Sequence, residues 1–177
     1  MQPLTLIPLT LEQHSMLLQA VYDAVPTYWQ MFQLAGAPAG QAEHDLRIAA
    51  AAEGCTLLGI VQRVEQENPQ AGTEMIGMLD IRLHYPAEGT VSLGMVMVAE
   101  VLQRQGIGRA AWLLLEPWLC QTAGMKTARL MVEQFNIPAM RFFSSLGFVM
   151  TGEANRTRVG DRFVRQLFME KELGREW

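Results

Sequence analysis

The chain has 177 residues, half of them hydrophobic, which suits one domain with a sizeable core. Its net charge of −4 argues against nonspecific binding to nucleic acid or anionic lipid, while leaving room for an anionic ligand in one local basic pocket. Cys55 and Cys120, with the scattered His14, His44 and His84, have neither the number nor the spacing for a disulfide framework or a metal site.

Residues 4–9 alternate apolar and polar side chains as a first strand. Thr10 stands where it can cap a helix running to about residue 24, with Glu12 and Gln13 in its first turn. Pro26 interrupts that helix, and the aromatic run Tyr28-Trp29-Gln30-Met31-Phe32 leads to a loop marked by Gly36, Pro38 and Gly40. A second helix is expected over about 41–53. Residues 56–64 and 74–84 read as strands joined by a hairpin loop at 66–72, and a strand over 91–98 completes an antiparallel meander. A glycine-rich stretch then opens a helix over about 107–122, in which Pro117 removes one hydrogen bond and should bend the helix or loosen its last turn. Residues 128–132 form a short buried strand. The intervening helix makes it a parallel neighbour of the 91–98 strand through a right-handed crossover. Pro138 starts a helix that Gly147 ends, and 148–158 with 162–172 form a closing hairpin around Val159-Gly160-Asp161. No basic leader segment followed by an apolar run opens the chain, and no apolar stretch spans a bilayer, so a soluble, cytoplasmic protein is expected.

The stretch Gln103-Arg104-Gln105-Gly106-Ile107-Gly108-Arg109-Ala110 carries the strongest chemical signal. Two glycines let the backbone approach a ligand without a Cβ in the way, and the unpartnered N–H groups of a helix's first turn bind anions. Taken alone, Gly106-Ile107-Gly108-Arg109-Ala110-Ala111 also fits the dinucleotide fingerprint Gly-x-Gly-x-x-Ala, with Glu133 ending the next strand as a ribose-binding acid would. Residues 99–105 separate strand from glycines, however, and too little chain remains for further strand–helix units. A P-loop is excluded because no Gly-Lys-Ser/Thr follows.

Gln103, Gly106 and Gly108 match the Arg/Gln-x-x-Gly-x-Gly/Ala signature of the GNAT N-acetyltransferase superfamily, which the chain resembles in its order of elements. A second family feature, Asn-x-x-Ala followed by an aromatic pair and Leu-Gly-Phe, is matched by Asn136, Ala139, Phe142, Phe143, Leu146, Gly147 and Phe148. The detailed match covers about 91–148. The resemblance implies one α/β (α+β) domain over 1–177, with a mixed, mostly antiparallel sheet of about seven strands, flanking helices and a splayed central parallel pair. It also implies acetyl-CoA as co-substrate and no metal. The pyrophosphate would lie on backbone N–H groups from Arg104, Gln105, Gly106, Ile107, Gly108 and Arg109, with the two arginine side chains adding charge. Val96, Met97 and Val98 would pair with the pantetheine arm as an added strand does, and the Val98 N–H would polarise the thioester carbonyl and hold its oxyanion. Asn136 would contact the pantetheine, its alternative role being a plain helix cap.

An acceptor amine of lysine-like basicity must lose a proton before it attacks, and the leaving thiolate benefits from an acid. The family often supplies a Tyr as that acid; here its position is Phe143, which has no proton to give and is counted with the cofactor contacts. Some peptide-acetylating members carry a Glu five residues before the Asn, and that position is Met131. Glu133 lies two residues on, on the same strand face and roughly 7 Å away, and is the first candidate base. Asp80 is the second. It shares a face with Ile76, Met78, Arg82 and His84, and pairing with Arg82 is its alternative role. Glu100 and His84 rank below both. Tyr22, Tyr28, Trp29 and Phe32 either line the acceptor site or pack the N-terminal helices. The expected reaction is acetyl transfer to a primary amine, on a small molecule or a peptide, by direct attack in a ternary complex. No nucleic acid or membrane partner is expected, and an apolar strand at the sheet edge would suit a homodimer. A noncatalytic acetyl-CoA-binding or sensing domain is the alternative, motivated by Phe143 and Met131.

Overall fold

The computed structural model describes residues 2–63, 72–159 and 161–174. In chain order it runs β1 (Leu4–Pro8), α1 (Leu11–Asp23), α2 (Pro26–Met31), α3 (Gln41–Ala51), β2 (Cys55–Arg63), β3 (Thr73–Leu83), β4 (Thr90–Val98), α4 (Ile107–Gln121), β5 (Thr127–Glu133), α5 (Ile137–Ser145), β6 (Val149–Val159) and β7 (Arg162–Glu172). A 3₁₀ turn, Glu100–Leu102, lies between β4 and α4. Among the described residues seven strands form one mixed sheet in the order β1-β2-β3-β4-β5-β7-β6. The pair β4–β5 is parallel, while β1–β2, β5–β7 and β6–β7 are antiparallel. This is the α/β class and sheet expected. The expected hairpin loop at 66–72 lies, except for Gly72, outside the described residues, as does Gly160 of the closing hairpin.

Two helix starts differ from the sequence expectation. Pro26 does more than interrupt a helix: it occupies the first turn of α2, where its missing N–H would have no helical partner anyway. Thr10 precedes α1, but its side chain makes no cap to the helix N–H groups. His14 reaches back instead, its Nδ1 accepting from the Thr10 N–H at 3.0 Å. Pro117 is accommodated within α4, which continues to Gln121.

The chain divides into two compact units, Met1–Ile81 with Met95–Leu115, and Arg82–Gly94 with Glu116–Trp177. In the first, Leu18, Val21, Tyr22 and Val25 recur at the helical spacing that makes one apolar stripe. That stripe buries with Trp29 of α2, Ala42 and Leu46 of α3, Leu57 of β2, Met78 of β3 and Met97 of β4. Each large member contributes about 1.5–3 kcal/mol by leaving water. Trp29 Nε1–H donates to the Tyr22 carbonyl at 2.8 Å, so the buried indole keeps its polar atom satisfied.

In the second unit β5 is the central strand, parallel to β4 from Thr90↔Thr127 to Leu93↔Leu130 and antiparallel to β7 from Thr127↔Glu172 to Glu133↔Gln166. The β6–β7 register slips between Met150 and Ala154, a bulge in which Gly152 takes φ 86°. Helix α5 ends in a Schellman motif. Phe148 N–H reaches Phe143 O, Gly147 N–H reaches Ser144 O, Gly147 has φ 92°, and the Phe143 and Phe148 rings meet edge to face at 5.5 Å. Lys171, 7 % exposed, is neutralised by Glu116 at 2.6 Å.

Candidate functional site

The glycine stretch belongs to the first unit. Gln103 Nε2 donates to Val98 O at 2.9 Å and ties the start of the loop to the end of β4. Arg104 at φ 63° and Gly106 at φ 84° are both left-handed. Position 106 needs glycine for that backbone angle, and nothing lies within 4 Å of where its Cβ would stand. Ala110 N–H bonds Gly106 O at 2.9 Å. The N–H groups of Ile107, Gly108 and Arg109 therefore precede the helical ladder of α4 and sit at the positive end of its dipole. Ile107 is buried and anchors the turn, whereas Gln103, Arg104, Gln105, Gly106 and Arg109 are not buried. Backbone donors, two arginines and an open face fit a diphosphate-bearing ligand.

Just upstream, Ala99 N–H donates to Ile76 O at 2.9 Å, towards β3. Alternation along an extended chain turns the preceding N–H, that of Val98, away from β3. Met97 sends its side chain into the buried cluster, while Val96 is half-buried. Gly77 on β3 allows a very close approach here: a Cβ would fall 2.4 Å from Met97 O and 3.3 Å from Val98 Cα.

Asp80 follows Met78 by two residues and shares its strand face, the face that meets α1, α2 and α3. Burial raises its carboxyl from the ordinary 3.8 to about 6, and the charge of Asp45 adds to the effect. Asp45 is held at both oxygens, by the Tyr22 hydroxyl at 2.8 Å and by Gln41 Nε2 at 2.8 Å. Burial first, and Asp45 second, push the Tyr22 phenol well above its usual range, so it remains a donor. Tyr28 stacks edge to face on Trp29 at 5.1 Å, and Phe32 packs on Tyr28 at 5.1 Å.

The other sequence candidates belong to the second unit. Glu133 ends β5 opposite Gln166 and accepts from its Nε2 at 3.2 Å. Met131, on the same face, is exposed. Asn136 caps α5, its Oδ1 accepting from Ala139 N–H at 3.2 Å. Phe143 is buried against Phe142 and Phe148. Arg82 lies over the Tyr85 ring at 4.1 Å, and His84 pairs with Glu88 at 2.9 Å. Glu100, in the first unit, accepts from Thr27 N–H at 2.6 Å and so caps α2. Thus Asp80, Val96–Val98 and the glycine stretch share one unit, and Glu133, Asn136 and Phe143 the other.

Asp45 and Gln41 are polar partners that sequence reasoning passed over. One signal was available: Ala42, Asp45, Leu46 and Ala49 follow the i, i+3, i+4, i+7 stripe of α3, which places an acid among inward-facing positions. Among the described residues no group of His, Cys, Asp and Glu side chains is arranged to hold a metal ion, and no helix is long and apolar enough to cross a membrane.

Residues 19–148 match the family model described as "Acetyltransferase (GNAT) family". No curated protein matches the sequence. Among solved structures, an acetyltransferase from Thermus thermophilus superposes with a TM-score of 0.73 at 22 % identity, covering 98 % of this chain and 100 % of the other. A probable GNAT acetyltransferase from Chromobacterium violaceum gives 0.76 at 18 % identity, covering 97 % and 84 %. Mutant forms of the spermidine/spermine N-acetyltransferase SpeG from Vibrio cholerae give 0.66 at 16 %, covering 96 % and 95 %. At these identities the likeness is one of fold.

Proposed function

The chain belongs to the GNAT acetyltransferase family, and on that premise we propose that it moves an acetyl group from acetyl-CoA to a primary amine by direct attack in a ternary complex. The observation that carries this reading is the loop after β4: a side-chain tie from Gln103 to Val98, left-handed Arg104 and Gly106, and a helix start at Ile107. Backbone N–H groups over 104–109 are the proposed pyrophosphate cradle, with the Arg104 and Arg109 side chains adding charge. Acetyl-CoA supplies an activated thioester. The Val98 N–H, turned away from β3, is the proposed donor to its carbonyl oxygen. Because the unit boundary falls inside β3, β4 and α4 rather than in linkers, we read the whole chain as one domain.

Asp80 is the proposed base, ahead of Glu133. A carboxylate with a midpoint near 6 is ionised at neutral pH yet holds a proton more firmly than an ordinary aspartate. Glu133 instead accepts a hydrogen bond from Gln166. The acceptor is proposed to be a cationic amine, since the first unit carries ten acidic against four basic side chains. The Vibrio cholerae neighbour is a spermidine/spermine N-acetyltransferase, which makes polyamines the first acceptors to assay.

Calorimetry with acetyl-CoA tests the cradle. Gly108→Glu places a carboxylate at the start of α4 and is expected to weaken binding by about 100-fold or more, on the order of 3 kcal/mol; equal affinity in a folded variant refutes the assignment. Release of free CoA on a panel of amines tests turnover. Tight binding with no thiol released on any acceptor would favour the sensing role.

A further inference from the structure

We infer that the outer edge of β6 over residues 154–158 is a docking strand for a protein partner, which supplies an extended segment with acidic side chains at alternate positions. None of the residues involved is placed at the cofactor or at the transferred proton, so the inference is independent of the acetyl-transfer reading. β6 is the last strand in the sheet order, with β7 on one side and, among the described residues, no strand on the other. Two hydrogen bonds fix which of its main-chain groups face outwards. The Arg156 N–H donates to Asn155 Oδ1 at 2.8 Å. Arg165, opposite Arg156 on β7, accepts at its carbonyl from the Gln134 N–H at 2.8 Å, on the side of β7 that β5 occupies. Both mark Arg156↔Arg165 as a pair that exchanges no main-chain hydrogen bonds. By alternation the N–H and C=O groups of Ala154, Arg156 and Arg158 point away from β7. The bulge at Gly152 ends this regular run.

The side chains of this edge define the strand that fits it. Register puts Arg156 and Arg158 on the same sheet face as Arg165 and Phe163 of β7, and all four are exposed. The Arg156 guanidinium lies over the Phe163 ring at 4.3 Å, a contact that holds its charge in place beside the edge. Arg158 reaches Asp161 at 3.5 Å, a surface pair of the kind that a better-placed carboxylate readily displaces. A strand laid along β6 sets every second side chain beside Arg156 and Arg158, where an opposite charge is favourable and a like charge is not. A second copy pairing antiparallel about residue 156 or 157 would set arginine against arginine, so the edge is guarded against its own kind. Carboxylates at alternate positions meet both arginines. The main-chain donors and acceptors along 154–158 match another polypeptide rather than a nucleic acid.

Fluorescence anisotropy of the full chain with a labelled peptide alternating threonine and glutamate tests this. Saturable binding that weakens with added salt is expected, and a peptide alternating threonine and lysine should not bind. N-methylating every second peptide nitrogen keeps the charge and removes one set of main-chain donors. Of the two alternate sets, the one facing β6 should weaken binding by about tenfold and the other hardly at all. Arg156→Glu combined with Arg158→Glu should weaken it by about tenfold or more, while the two lysine substitutions at the same positions keep most of it. Unchanged melting temperature and acetyl-CoA affinity certify the fold of the variants, and the methylated peptides test the wild-type chain without any variant. No binding, or equal binding of the two methylated peptides, overturns the inference, as does full affinity in the folded glutamate variant. A dimer in sedimentation velocity that the glutamate variant abolishes gives the edge to a second copy and overturns it too.

Discussion

Replacing Asp80 by asparagine should make the protein more stable at neutral pH while removing its activity. The carboxyl is raised from 3.8 to about 6 because burial and Asp45 both penalise its charge. Below about pH 3.8 it is protonated in folded and unfolded chains alike, and the penalty is absent. Between 3.8 and about 6 the unfolded chain loses its proton first, so folded-state stability falls as pH rises. Above about 6 both states are ionised and the whole penalty remains. At about 1.36 kcal/mol per pH unit the displacement corresponds to about 3 kcal/mol, which partial exposure of the side chain reduces to about 2–3 kcal/mol. Asparagine has the shape of the protonated acid and carries no charge. Urea unfolding at about pH 3.5, 5 and 7.5 should therefore give Asp80→Asn no advantage at the lowest pH, an intermediate gain at the middle one and about 2–3 kcal/mol at the highest, or roughly 5–10 °C in melting temperature. A gain independent of pH, or a loss at the highest pH, refutes the reasoning about this carboxylate.

Other substitutions test separate contacts. Gly77→Ala sets a methyl 2.4 Å from a backbone oxygen that has nowhere to go, so about 2–3 kcal/mol of stability and some acetyl-CoA affinity should be lost, measurable by denaturation and calorimetry. Gly59→Ala meets first the flexible ends of Leu9, at 2.9 Å, and Met75, at 3.1 Å, and should stay within about 1 kcal/mol of wild type. Glu116→Ala takes a carboxylate away from the buried Lys171 ammonium and should destabilise by about 3 kcal/mol in urea. Glu100→Ala removes the carboxylate that caps α2 at Thr27 and should lower stability by about 1 kcal/mol in the same assay, with Glu100→Gln closer to wild type.

The elements legible in the sequence are those whose local chemistry and tertiary role agree. Helix α5 is the clearest: Asn136, Pro138 and Gly147 mark its ends, and each performs its local task. The glycine stretch is legible because backbone conformation is written in residue type at Gly106. Helix α2 is hidden because proline reads as a breaker until it is known to sit in a first turn. At Thr10 the side chain turns to His14 Nδ1, at 3.3 Å, instead of the helix N–H groups, and the same ring nitrogen takes the Thr10 N–H that the sequence pattern leaves to a first-turn side chain. Tyr22 and Asp45 are far apart in the chain, and only the packing of α1 beside α3 brings the hydroxyl to the carboxylate. Glu133 ranks first in sequence because strand periodicity places it beside Met131; the burial that raises the Asp80 carboxyl, on which the proposal of Asp80 as base rests, is something periodicity does not measure.

Interleaving of the two units has a consequence for how the chain is made. The first unit needs residues 95–115 as well as 1–81, so the face of β3 that carries Met78 waits for β4 and its Met97 before the cluster can close. The second unit begins with 82–94, synthesised in between, but β5 acquires its antiparallel partner only when β7 has emerged as far as Glu172. At synthesis rates of about 5–20 residues per second, the 91–98 region is exposed for several seconds before β7 exists. Folding on the ribosome therefore proceeds through a partly built sheet, and the apolar residues of β3 to β5 are the surface that a nascent-chain chaperone would meet.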